Sequence, residues 1–167
     1  MIANGLAPKR AELLEGVIVE KISKSILHTR LLSRMVDALR QSLSEAYWLR
    51  QEAPITMRDS EPEPDISIVA GSEHAYLEHR TTALLVVEIA VSTVAEDRAM
   101  AALYASADVN EYWILNTAAR EVEVFRKPQG GVYFEKEVLA ADQMLTCQAL
   151  PQLTLNLEYL WMGLTGV

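Results

Sequence analysis

The stretch Ala83-Leu84-Leu85-Val86-Val87-Glu88-Ile89 is apolar at every position but one. An apolar run of this length reads as a strand buried on both faces, which needs cover above and below and so points to a sheet sandwiched by helices. A glutamate inside such a strand is costly to bury unless it is paired or bound to a metal. Glu88 therefore marks the place where chemistry would sit.

The surrounding pattern agrees with an α/β (α+β) domain. Leu27, Leu31, Met35, Leu39 and Leu43 recur every four residues and predict an amphipathic helix over residues 25–44, capped by Ser23 or Ser25. Leu13-Leu14 and Val17-Ile18-Val19 flank Glu15-Gly16 as a hairpin would. A short strand is expected within 47–57. Pro62 and Pro64 then forbid helix at Glu61 and Glu63, and a strand opens at Asp65. Met100, Leu103, Tyr104 and Ala107 predict one helix over 95–107. Tyr112-Trp113-Ile114-Leu115 follows as a strand, so the order strand, helix, strand implies a parallel pair with a right-handed crossover. Residues 121–125 and 132–134 alternate across the turn Pro128-Gln129-Gly130-Gly131, a hairpin, and Leu155–Leu164 closes the chain as a short helix. With 167 residues and 50% hydrophobic content, the expectation is a single domain over 1–167.

Composition narrows the function. The chain carries 23 acidic and 15 basic residues, a formal net charge of −8, which disfavours binding nucleic acid by bulk charge. Its one cysteine, Cys147, has no CxxC or Cys/His spacing around it, and no apolar run is long enough to span a membrane. A cytoplasmic location away from the membrane is the expectation.

Asp65 opens one strand and Glu88 lies near the end of the next. If the two strands run antiparallel, both carboxylates converge at one sheet edge, where two hard oxygen donors and water suit Mg²⁺ or Mn²⁺. The plainer alternative is a turn-forming Asp after Pro and a Glu that reaches solvent.

The segments EPEPDISIVAG and LLVVEIAVSTVAEDRAMAALYASADVNEYWILN, with AELLEGVIVEK and the helix near His28, resemble the Uma-two-type family of restriction endonucleases, a branch of the PD-(D/E)XK superfamily. The resemblance spans residues 11–137. It implies a restriction-endonuclease-like mixed central sheet flanked by helices with an antiparallel hairpin extension. It also implies a metal-dependent DNA endonuclease with Asp65 and Glu88 as catalytic and metal residues, one or two Mg or Mn ions, DNA as partner and homodimer formation. Glu15 matches an acidic position of the opening motif and is expected either to add a third oxygen or to be a turn residue. His28 matches a recurrent histidine, which implies a contact to phosphate or metal-bound water, with a half-buried structural role as the competing reading. Asp97, Tyr104, Tyr112 and Trp113 also match, the aromatics as core. The superfamily's lysine falls at Ala90 or, in this family's pattern, at Met100. Losing that cation predicts weak cleavage, or a silent nuclease-fold protein serving as a dimeric binding or regulatory module. Arg98 lies about 200° round the helix from Met100 and cannot replace it.

Overall fold

A computed structural model of the chain describes residues 11–21, 23–75 and 77–164. The N-terminal ten residues and the last three of the expected domain lie outside this description.

The core is a six-stranded mixed sheet. Its strands are β3 (Tyr47–Gln51), β4 (Ile66–Ala70), β5 (Leu85–Ala90), β6 (Glu111–Asn116), β7 (Glu121–Gln129) and β8 (Val132–Ala140), in the spatial order β3-β4-β5-β6-β7-β8. Only β5 and β6 run parallel, as the strand, helix, strand order predicts; every other neighbour is antiparallel. Two further antiparallel ribbons lie outside the sheet, β1 (Ala11–Leu14) with β2 (Val17–Glu20) and β9 (Met144–Thr146) with β10 (Thr154–Asn156).

Period-two alternation divides the strands between two cores. Leu85, Val87 and Ile89 of β5 face the larger core, with Ile66, Ile68, Trp113 and Leu115. That face is covered by α1 (Ile26–Ser42) and α4 (Leu157–Trp161), whose buried residues join the same cluster. Val86 and Ala90 face the other core, with Tyr104, Tyr112, Ile114 and Phe125, beneath α2 (Val94–Ala99) and α3 (Ala101–Ser106). Each fully buried Leu or Ile contributes roughly 1.5–3 kcal/mol, and β5 is covered on both sides as its apolar run required. Glu88 shares the parity of Val86 and Ala90, so the alternation itself sends it to the α2–α3 side.

Three boundaries differ from the sequence pattern. The helix expected over 95–107 is two short helices meeting at Met100, whose N–H is shared between the carbonyls of Glu96 (3.1 Å) and Asp97 (3.2 Å). Met100 keeps right-handed dihedrals (φ −70°, ψ −15°), so the chain continues without a sharp bend. The β7–β8 turn is Gly130-Gly131 alone, at φ 59° and 79°. Two positive φ values give the two-residue turn whose twist matches a hairpin, and Pro128 and Gln129 remain paired in β7. The closing segment begins as β10 before α4, because Leu155 is paired with Leu145 before the chain can coil.

Candidate active site

At the end of β5 where Glu88 lies, the molecule opens into a cavity of about 480 Å³ bordered by Glu12, Lys24, His28, Asp65, Glu88 and Asp97, with Met100 on its wall. Four parts of the fold build it: the sheet edge, the α2–α3 segment, the β1–β2 hairpin, and the start of α1 with the connector ahead of it. The hairpin is pinned over the Pro-rich connector by Gly16 N–H to the Asp59 carbonyl (2.7 Å), Glu61 N–H to the Leu13 carbonyl (2.7 Å) and Glu63 N–H to Glu12 Oε2 (3.0 Å).

The β4–β5 ladder ends at Ile66 opposite Val87, which leaves Asp65 beside Glu88. Side chains then extend the ladder reciprocally. Asp65 N–H donates to Glu88 Oε2 at 3.1 Å, and Ile89 N–H donates to Asp65 Oδ2 at 2.8 Å. The antiparallel arrangement that brings both carboxylates to one edge is present.

Their environments push the two acids apart. Glu88 accepts a hydrogen bond from the Tyr104 hydroxyl at 3.0 Å. Burial, then the charges of Asp65 and Asp97, raise its carboxyl well above the usual range. Asp65 is buried too, which alone would raise it. The contacts to His28 and the charge of Lys24 outweigh burial and hold it well below the carboxylate range, with His28 Nε2 2.9 Å from Oδ2 and Lys24 Nζ 2.7 Å from Oδ1. The pair is thus separated in acidity, with Glu88 the weaker acid and Asp65 the stronger.

Lys24 also contacts Glu52, and its ammonium titrates higher than usual although burial opposes this. Asp97 is pushed up to about 6, chiefly by burial and then by the charge of Asp65, against the hydrogen bond from Thr93 Oγ1 at 2.7 Å. Beneath it, Tyr112 donates its hydroxyl to the Asp97 carbonyl at 2.8 Å. Tyr104 and Tyr112 are thus core aromatics, as their spacing suggests, whose hydroxyls reach up to hold the site.

His28 is buried in the first turn of α1, with Ser25 as the N-cap accepting its N–H at 3.1 Å. That cap aims the ring at Asp65, a role the half-buried reading had not given it. Glu15 is the turn residue of its two alternatives: it has a left-handed φ of 48°, is exposed, donates its N–H to Ser60 Oγ at 2.8 Å and does not border the cavity. Glu12 and Leu14, on the other parity of β1, border it instead. Arg98 turns away to pair with Glu123, as the helix geometry requires. His74 and His79 are exposed. Trp113 is fully buried, its indole N–H bonded to Glu111 at 2.9 Å.

Glu12, Lys21, Lys24 and Asp97 are the residues that sequence reasoning missed or discounted. The i, i+2 alternation of β1 could have found Glu12, and the position of Lys24 one residue before the α1 cap could have fixed its direction. Nothing in the linear pattern brings Lys24 to Asp65, 41 residues away.

A second, shallower groove continues from Lys24 along α1, bordered by Thr29, Arg30, Ser33 and Arg34. Among the described residues, no helix is long and apolar enough to cross a membrane.

The profile of the Uma2 family, described as "Putative restriction endonuclease", matches residues 6–158. A crystal structure described as "a putative nuclease belonging to DUF820 from Anabaena variabilis ATCC 29413" superposes with a TM-score of 0.76 at 19% identity, covering 90% of this chain and 89% of that one. At that identity the likeness speaks for the fold. No curated protein matches the chain.

Proposed function

The chain belongs to the Uma2 family, and from that premise we propose that it is a metal-dependent DNA endonuclease of the PD-(D/E)XK type, with Asp65 and Glu88 holding one or two Mg²⁺ or Mn²⁺ ions. The observation that carries this reading is the convergence of Asp65 and Glu88 on one cavity, linked by a hydrogen bond from the Asp65 N–H to the Glu88 carboxyl and shifted in acidity in opposite directions. Paired titratable groups separated in this way are a mark of catalytic sites.

The donor set suits a hard divalent cation. Burial first, and then the charges of Asp65 and Asp97, raise the Glu88 carboxyl well above its usual range, and a bound cation would relieve this electrostatic cost. Among the described residues, no three His, Cys, Asp or Glu side chains form a ready ligand cluster. Mg²⁺ does not require one, since it commonly takes one or two carboxylates and completes its octahedron with water and substrate phosphate. When bound, such an ion supplies polarisation of the scissile phosphate and activation of water.

The chain's own residues do the rest. Tyr104 fixes Glu88 Oε1, Ile89 N–H and His28 fix Asp65 Oδ2, and the β1–β2 hairpin walls the cavity from one side. Lys24, Arg30 and Arg34 give a strongly acidic chain a local positive groove leading to the carboxylates, suited to a phosphate backbone.

The test is supercoiled plasmid with Mg²⁺ or Mn²⁺ at low salt. Nicking by the wild type that is absent from Asp65→Ala supports the reading, and nicking indifferent to Asp65→Ala and Glu88→Gln overturns it.

A second reading rests on Met100. Its thioether stands where the family resemblance implies a lysine and can neither hold a water by donation nor offset developing charge, so the site is impaired to the extent that no other cation serves it. With no such cation, the protein would be a silent nuclease fold acting as a dimeric binding or regulatory module.

A further inference from the structure

We propose that Lys24, delivered from the connector ahead of α1, is the cation that this site uses in place of a lysine at position 100, and that its ammonium contacts the scissile phosphate and the attacking water. The inference rests on the endonuclease reading and assigns the one role which that reading leaves vacant.

Lys24 and Met100 border the same cavity. The Lys24 Nζ lies 2.7 Å from Asp65 Oδ1, which puts a full positive charge at the carboxylate assigned to the ion. The neighbouring cations are committed elsewhere. Arg98 is bound to Glu123 through both Nε and Nη2. Lys21 contacts the Glu63 carbonyl and lies 3.5 Å from Glu12 Oε2. His28 supports the other oxygen of Asp65.

The placement of Lys24 is built into the fold. Ser25 caps α1 and fixes the direction in which the preceding residue leaves the helix. Glu52 holds the far side of the ammonium, and the side chain is only 19% exposed. A lysine also suits an exchange of partners. Its compact charge rides on a flexible four-carbon stem, so when a divalent ion takes Asp65 the ammonium can move to a phosphate oxygen or a water within reach.

In the hydrolysis, the water oxygen bonds to phosphorus while the bond from phosphorus to the leaving sugar oxygen breaks. The water's proton passes to solvent and the leaving oxygen takes a proton from solvent. Lys24 stays protonated throughout; its part is to orient the water and to offset the charge that grows on the phosphoryl oxygens.

The experiment compares wild type, Asp65→Ala, Lys24→Met, Lys24→Arg, Met100→Lys and the double variant Lys24→Met with Met100→Lys. It measures plasmid nicking with Mn²⁺, Mn²⁺ affinity of the metal-free protein by calorimetry, and folding by circular dichroism. Lys24→Met is expected to lower the nicking rate by about a hundredfold or more, with Lys24→Arg losing less and the double variant recovering at least about tenfold. The same Lys24→Met protein should bind Mn²⁺ as tightly as wild type or tighter, because a competing cation has left Asp65. That split between binding and rate is what a merely structural lysine would not produce.

Nicking by Lys24→Met within about threefold of wild type overturns the proposal. So does loss of Mn²⁺ affinity in step with rate, which makes Lys24 a support for the carboxylates only. An inert wild type activated by Met100→Lys alone overturns the role of Lys24 while leaving the carboxylate site standing. If all forms are inert and Asp65→Ala binds Mn²⁺ like wild type, the endonuclease reading falls and the role of Lys24 falls with it.

Discussion

The main-chain N–H of Asp65 donates to the carboxyl of Glu88 at 3.1 Å, so the backbone of one candidate ligand holds the side chain of the other. Neither residue can move without disturbing its partner. This coupling makes the pair sensitive to changes that leave both carboxylates in place.

Because burial and then the charges of Asp65 and Asp97 raise the Glu88 carboxyl well above its usual range, Glu88→Gln puts a neutral group of nearly the same shape where the site already disfavours charge. The melting temperature should stay level or rise, while calorimetric Mn²⁺ binding is lost. A variant that melts much earlier than wild type would show that Glu88 is charged in the resting fold.

Tyr104→Phe retains the buried ring and removes the hydroxyl that reaches Glu88 Oε1. A hydrogen bond of this kind contributes about 1–2 kcal/mol, so the urea midpoint should fall by a corresponding amount. Mn²⁺ affinity should fall as well, since Glu88 is no longer held from below. An unchanged affinity would assign the hydroxyl to stability alone.

Asp97 titrates at about 6 in the fold against an ordinary 3.8, so the folded protein retains a proton that the unfolded chain has already lost. The stability this contributes is complete below pH about 4 and is lost as pH rises through about 6, up to about 3 kcal/mol. Urea midpoints of the metal-free protein should therefore decline across that window, and Asp97→Asn should decline less. An identical decline in both proteins would place the effect on other groups, Glu88 first among them.

Arg30 borders the groove that continues from Lys24, so Arg30→Glu should weaken DNA binding at low salt and reduce the slope of log affinity against log salt by about one or more. Mn²⁺ affinity should not change. Equal affinity and slope in the two proteins would exclude this groove as the path of the phosphate backbone.

Much of the fold was legible because it follows from period and polarity. The apolar run at 83–89 required cover on both faces, and it has both. The four-residue spacing from Leu27 gave α1, and the Pro-rich connector before Asp65 placed the start of β4 correctly to a residue. Glu88 stood out for the same reason, as one charge in a strand with no room for it. What failed locally failed where hydrogen-bond geometry decides: the junction at Met100, the narrow Gly130-Gly131 turn and the pairing of Leu155 before α4.

The linear sequence thus determined which strand is central, which acid on it is anomalous and which earlier acid could meet it. Tertiary structure decided the rest of the site, because contacts between residues far apart in the chain leave no periodic trace. His28 and Lys24 reach Asp65 only once α1 has packed across the sheet, and Glu12 reaches the cavity only once the hairpin is pinned to the Asp59–Glu63 segment. The shifts in acidity were also beyond the sequence. Glu88 and Asp65 are both carboxylic acids on adjoining strands, and they separate because one is buried against a tyrosine while the other is gripped by a lysine and a histidine.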